Sequence, residues 1–366
     1  MIKNLLTLDF ETYWAADYTL SKMTNEAYVR DPRFHAHMVG LKVGGGKPVV
    51  VPARQIEAVF SKINWAETGV IAQNAAFDGF ILSYHYGVHP GFWFDTMSMF
   101  RAIYPAESAS LSNILRVLGL PEKGRGFNVT ATKGFETLPP ELYRDCATYC
   151  GYDCTDTWNV FNLLRGHFPP SELKLIDLTI RMFTEPILEL NSEILKGAHQ
   201  DELKRKEDLL ARVSADKELL SSNPKFASLL LGFGIDPPKK LSMAKVKRGE
   251  ISSETMGEPP VGLLSAEQSK EGWAYAFSKS DEEFKALLDS EDEEIRALVE
   301  ARLGVKSTIK ETRTQRLLGI ASRGNLPVPL GYYKAHTGRY GGMDRINLQN
   351  LSRSCTICDG SGKINV

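Results

Sequence analysis

The chain has 366 residues, 43% of them hydrophobic and 24% charged, with a formal net charge of −1. That length and composition describe a globular protein of two or three domains and exclude a disordered or collagen-like chain. No run of about 18 apolar residues occurs and no secretory signal precedes the first strand, so the expectation is a cytoplasmic protein without membrane contact.

The first strong feature is Leu5-Leu6-Thr7-Leu8-Asp9-Phe10-Glu11-Thr12. Side chains alternate along a strand, so Asp9 and Glu11 share one face while Leu6 and Leu8 pack behind them. Adjacent like charges repel, and a divalent cation relieves that repulsion with hard oxygen ligands. Solvated acids at a strand end are the plainer explanation of the pair alone, so later carboxylates must decide.

Val39 to Val43 and Pro48 to Pro52 flank Gly44-Gly45-Gly46 and predict a hairpin, making the first three strands a meander. The spacing of Ile56, Val59, Phe60 and Ile63 predicts a short helix. Val70-Ile71-Ala72 predicts a buried strand that runs into Gln73-Asn74-Ala75-Ala76-Phe77-Asp78. Asp78 then stands at a helix start, where it either stabilises the N-terminus or forms a third metal-facing acid. A strand from Gly91 to Phe94 leads to Asp95-Thr96-Met97, and a helix from Ser110 stops at Gly119. Gly124 to Thr137 predicts a loop over the sheet, and Pro139-Pro140 opens a long helix through Leu164. On it Tyr149 and Asp153 share a face, with Tyr152 and Asp156 as a second such pair.

Three of the five cysteines, Cys146, Cys150 and Cys154, recur every four residues and form an apolar helical stripe of reduced thiols. Cys355 and Cys358 with the glycines after them are similar to half of the zinc repeat of J-domain chaperones. One pair cannot fill a tetrahedral zinc site without further ligands.

From Pro169 to Asn325 the pattern is mostly helical, with long amphipathic segments at Leu203 to Leu220 and Ala297 to Leu318. Ser280-x-x-Glu283 and Ser290-x-x-Glu293 predict helix starts through capping boxes. Asp281 to Leu303 holds nine acidic and three basic residues, whereas Gly304 to Arg353 holds nine basic and two acidic. The second block is the electrostatic footprint of a polyanion partner. Within it Lys306, Lys310 and Arg313 form a basic stripe at helical spacing, which elsewhere is most often a solvated face.

Asp9-x-Glu11, Asn74-x-x-Phe77-Asp78 and Tyr149-x-x-x-Asp153 together resemble the three motifs of the DEDD proofreading exonucleases, in the branch that uses tyrosine. The resemblance implies an α/β ribonuclease H-like exonuclease domain with a mixed five-stranded sheet, and a site of two Mg²⁺ or Mn²⁺ ions on Asp9, Glu11, Asp78 and Asp153. It implies that Tyr149 orients the attacking water, while Asp95 is not a metal ligand. Phe77, Tyr13 and Trp14 could stack on unpaired bases, although core packing explains Phe77 better.

Thr337-Gly338-Arg339 followed by Asn347-Leu348-Gln349-Asn350 resembles the start of the palm of family A DNA polymerases, particularly phage ones. That resemblance implies primer contact by Arg339, duplex contact near Asn347, Gln349 and Asn350, and a mainly α-helical thumb-like domain before them. The expected division is 1–168 exonuclease, 169–325 thumb-like and 326–366 an incomplete palm. The family's polymerase carboxylates do not follow, so the chain reads as a fragment or as a half completed by a second polypeptide. The implied partners are a single-stranded DNA 3′ end and a primer-template duplex, in a bacterial host cytoplasm if the gene is a phage's. The rival readings are a stand-alone ribonuclease of the same fold and a non-catalytic DNA-binding module.

Overall fold

The computed structural model describes residues 2–213, 216–250 and 257–350. The chain divides into two units, one of Met1–Leu190 together with the chain from Ile320 onward, the other Asn191–Gly319. Residues 168 and 325, where the sequence suggested boundaries, both lie inside the first unit.

The first unit opens with β1 (Asn4–Thr12), α1 (Asn25–Val29), β2 (Ala36–Val43), β3 (Val49–Pro52), α2 (Ile56–Phe60), β4 (Thr68–Ala72), α3 (Ala75–Tyr86) and β5 (Phe92–Asp95). It continues through α4 (Thr96–Ile103), α5 (Leu111–Val117), α6 (Pro140–Leu164) and α7 (Pro170–Thr184). The five strands form one mixed sheet in the order β3-β2-β1-β4-β5. β1 to β3 are an antiparallel meander, while β4 runs parallel to both β1 and β5.

Alternation along β1 sends Leu6, Leu8 and Phe10 into a core shared with Phe80 and Ile81 of α3. The opposite face lies under α6, where Cys146, Cys150 and Cys154 are buried and free, as the helical stripe predicted. Close approach of α6 depends on Gly40 in β2. A Cβ there would stand 2.6 Å from Cys154 Sγ and 2.8 Å from Cys150 Sγ.

The second unit comprises α8 (Ser192–Arg212), α9 (Lys217–Ser221), α10 (Asn223–Gly232), β6 (Lys239–Leu241), α11 (Met243–Lys247), α12 (Ala266–Glu271), β7 (Trp273–Tyr275), α13 (Glu282–Ala286), α14 (Glu293–Lys306) and most of α15 (Ile309–Ala321). Its core gathers Phe226, Phe277, Phe284, Leu298 and Val299. Two expectations fail here. The amphipathic segments from Leu203 to Leu220 and from Ala297 to Leu318 each fall in two helices, α8 ending at Arg212 before α9, and α14 ending where Ser307 turns extended. The helix starts assigned to Ser280 and Ser290 fall instead at Asp281, whose side chain makes no cap hydrogen bond, and at Asp292, which accepts from Glu294 N and Ile295 N. The capping box stands at Ser265 and Gln268.

After α15 the chain rejoins the first unit. Leu326 N donates to Leu188 O at 2.8 Å and Val328 N to Met182 O at 2.9 Å. β8 (Leu330–Gly331) and β9 (Gly341–Gly342) then pair antiparallel. Glu26, 2% exposed, accepts both Arg323 nitrogens at 2.9 and 2.7 Å and Arg30 at 3.2 Å. Asp344 accepts from Asn25 N at 2.6 Å, and Arg345 donates to the carbonyls of Lys22 and Ser21. Cys355, Cys358 and Arg353, with the half zinc site expected there, lie outside the described residues.

Candidate active site

β1 carries two acids to its end because the burial of Leu8 and Phe10 on one face obliges Asp9 and Glu11 to the other. Next to β1, β4 ends at Ala72. Asn74 takes φ +64°, and α3 starts at Ala75. This sharp entry places Asp78 in the first turn, 3% exposed, with Oδ1 accepting from Phe10 N at 3.0 Å. The main chain between Asp9 and Glu11 thus fixes the third carboxylate. Asp95 caps α4 through Met97 N and Ser98 N and also accepts from Ala75 N at 3.1 Å. It sets the α3 start and is fully occupied by that work.

α6 brings Tyr149 and Asp153 from the other side of the sheet. The Cys150 thiol between them donates to Asp9 O at 3.6 Å, which fixes this part of the helix against β1. Asp9, Glu11 and Cys150 each offer a ligand atom within 4.8 Å of the others. Cys150 is held protonated by its bond with Cys154 and by burial, so the thiol is a poor partner for a hard cation.

The electrostatics follow from crowding acids out of water. Asp9 is held well above the ordinary carboxylate range by burial, then by Glu11, Asp153 and Asp78. Glu11 is pushed up to about 8 by burial and then by Asp153. Asp78 rises to about 7 through burial, opposed by its Phe10 N–H bond. Asp153 is also raised by burial, and the Tyr149 phenol is driven upward by burial and then by Asp153, so it stays protonated. Each of these carboxylates gains from a nearby positive charge.

One such charge is already there, and no motif or spacing marks it. Lys123, in the loop between α5 and α6, donates to Asp153 Oδ2 at 2.5 Å and to the Tyr149 hydroxyl. The other oxygen, Asp153 Oδ1, is buried with no hydrogen-bond partner. An orphaned carboxylate oxygen among three further raised acids fits the donor set of a hard divalent cation.

The remaining sequence candidates divide. Phe77 packs in the core against Tyr28, with ring centroids 5.8 Å apart. Tyr13 stacks on Tyr18 and His35, and Trp14 donates to Thr132 at 2.9 Å within the loop over the sheet. Asn74 Oδ1 is buried without a partner. In the second pair Asp156 is wholly buried, while Tyr152 lines a groove of about 540 Å³ together with Phe127 and Tyr149. Lys306, Lys310 and Arg313 do not share one helix, since α14 ends at Lys306 and α15 starts at Ile309. Arg339 and Thr337 are exposed and joined at 3.3 Å, and Gln349 N donates to Asn347 Oδ1 while Gln349 and Asn350 face solvent. Arg323 and Arg345 from the basic block are engaged with Glu26 and with main-chain carbonyls, so only part of that block can meet a partner.

No protein-family model matches the chain, and neither does any curated protein. Among solved structures, the chain is similar over 95% of its length to the POL domain of Pol1 from M. smegmatis in complex with DNA primer-template and dNTP, with a TM-score of 0.50 and 13% identity. It spans 52% of that chain, about half its length. Brucella melitensis NrnC with bound Mg²⁺ aligns with 49% of this chain and 80% of its own, at a TM-score of 0.36 and 14% identity. Trypanosoma brucei RNase D aligns with 44% and 57%, at 0.35 and 19%. The likeness to the POL domain, at 13% identity, is one of fold.

Proposed function

We propose that the chain hydrolyses DNA from the 3′ end, as the proofreading portion of a family A DNA polymerase. The observation that carries the reading is the meeting of Asp9, Glu11 and Asp78 at the tip of β1 with Asp153 and Tyr149 from α6. Asp9, Glu11, Asp78 and Asp153 would hold two Mg²⁺ or Mn²⁺ ions. Bound there, the ions supply a hydroxide at neutral pH and charge stabilisation for the leaving 3′ oxygen.

The chain's own residues do the rest. Tyr149 keeps its proton and offers a hydroxyl beside Asp153, suited to orienting a water by hydrogen bond. Lys123 adds a positive charge at the same place, where a phosphate oxygen would be attracted. The groove at Phe127, Tyr149 and Tyr152 provides aromatic surface on which an unpaired base can stack in any sequence. Thr337, Arg339, Asn347, Gln349 and Asn350 in the first unit, and Lys306, Lys310 and Arg313 in the second, are the proposed duplex contacts.

The test is digestion of a 5′-labelled single-stranded DNA in Mg²⁺ by the wild-type chain and by Asp9→Ala. Removing a ligand worth several kcal/mol to the transition state should lower the rate roughly 10³-fold, with far-UV circular dichroism unchanged. Equal rates would remove Asp9 from the site. An RNA oligonucleotide of the same sequence, degraded faster than the DNA, would turn the proposal toward a ribonuclease.

A further inference from the structure

The second unit contains a cavity of about 380 Å³ of whose lining the proposed function assigns only Lys306, as a duplex contact. Four cationic residues line it, Lys240, Lys279, Arg302 and Lys306, against the single carboxylate of Asp281. That carboxylate is taken, by Lys240 Nζ at 2.5 Å and by Ser278 N at 2.7 Å. Arg302 is the unusual member. It has no exposed surface, and its hydrogen-bond partners are two neutral oxygens, the Leu220 carbonyl and Asn223 Oδ1. The same Asn223 oxygen accepts from Lys306 Nζ at 2.7 Å, so one amide serves two cations.

The Phe226 and Phe277 rings lie 4.8 and 5.5 Å from the Arg302 guanidinium and offset part of its burial. They explain why the arginine is tolerated in the core. They do not explain why Lys279 and Lys306 are set around the same cavity, nor why Arg302 Nε is buried with no partner. A buried cation is costly unless an anion meets it, and a cavity edged by buried Arg302 and by the exposed ammoniums of Lys279 and Lys306 is where an anion would gain most. Tyr275 and Phe277 add a second requirement. Their rings stack at 5.2 Å with 4° between planes, and both line the cavity, so part of its wall is aromatic. The volume falls in the range of small-molecule sites.

We propose that this cavity binds a nucleoside monophosphate, its phosphate toward Arg302, Lys306 and Lys279 and its base against the aromatic wall. The group would come from free nucleotide or from the 5′-phosphorylated end of a DNA strand. The inference rests on the second unit alone and goes beyond the hydrolytic reading.

Binding is measured by titration calorimetry on the full-length Asp9→Asn chain in EDTA, so that it is read whether or not the wild type cleaves DNA. The probes are dAMP, deoxyadenosine, inorganic phosphate, and a tetranucleotide with a 5′-phosphate or a 5′-hydroxyl. The expected result is dAMP binding at least tenfold tighter than deoxyadenosine or phosphate, and weakened at least tenfold by Lys279→Glu and by Lys306→Glu. Preference for the 5′-phosphorylated tetranucleotide over dAMP assigns a strand end, and the reverse preference assigns free nucleotide. No saturation by dAMP or by either tetranucleotide below about 10 mM, phosphate binding as tightly as dAMP, or affinity unchanged in both charge reversals would overturn the proposal.

Discussion

At the scale of single residues, the site is a balance between acids and an ammonium that reaches them. Lys123 touches Asp153 and Tyr149, and its charge lowers both Asp153 and Glu11. Lys123→Met should therefore destabilise the metal-free protein at pH 8. Because the ammonium no longer repels an incoming cation, the same change should tighten Mn²⁺ binding by roughly fivefold or more, as followed by calorimetry. The raised acids also predict a pH dependence. Glu11 moves from 4.5 to about 8 and Asp78 from 3.8 to about 7, so between those limits the folded state binds more protons than the unfolded one. Their contribution is fully present below pH 4 and is lost as pH rises through 7 to 8. The metal-free protein should melt at a lower temperature at pH 8.5 than at pH 5.5, and Glu11→Gln should flatten that slope. Mn²⁺ should restore stability at the higher pH and little at the lower, since its ligands must first lose protons.

At the scale of elements, β1 and α6 meet only because Gly40 leaves room for two thiols. Gly40→Ala should cost about 1–3 kcal/mol in urea unfolding, the usual range for overpacking a filled core. Cys154→Ala in the same chain should recover part of it, as the nearest atom to the new methyl is Cys154 Sγ. Sequence reasoning reached this level well where periodicity and punctuation agreed. The alternation at Leu6, Leu8 and Phe10, the strand from Val70 and the proline pair before α6 all left local signals. It missed what is set by tertiary contact. A lone lysine in a glycine-rich loop gives no sign that it will reach Asp153. The Ser-x-x-Glu pattern at Ser290 lost its cap to Asp292, whose carboxylate reaches two main-chain donors at once. Asp292→Ala should cost about 1 kcal/mol, whereas Ser290→Ala should cost far less, both by urea titration.

At the scale of the molecule, the first unit is closed by chain that returns from far along the sequence. Glu26 is the anchor, a buried carboxylate with two guanidinium partners from positions 30 and 323. Glu26→Gln removes the carboxylate that both arginines share and should lower stability by about 3 kcal/mol, measured by urea unfolding. The return also has a topological consequence. Leu188 and Leu326 are bridge partners, yet 137 positions separate them, and almost everything between them is the second unit. That unit is therefore a cassette, entering and leaving through one doorway. A chain lacking residues 191–319, spliced by a few glycines, should still melt cooperatively and keep its hydrolysis of short strands. If the spliced chain does not fold, then the stability of the sheet with its four acids is borrowed from the insert and the doorway is only a place where two segments pass.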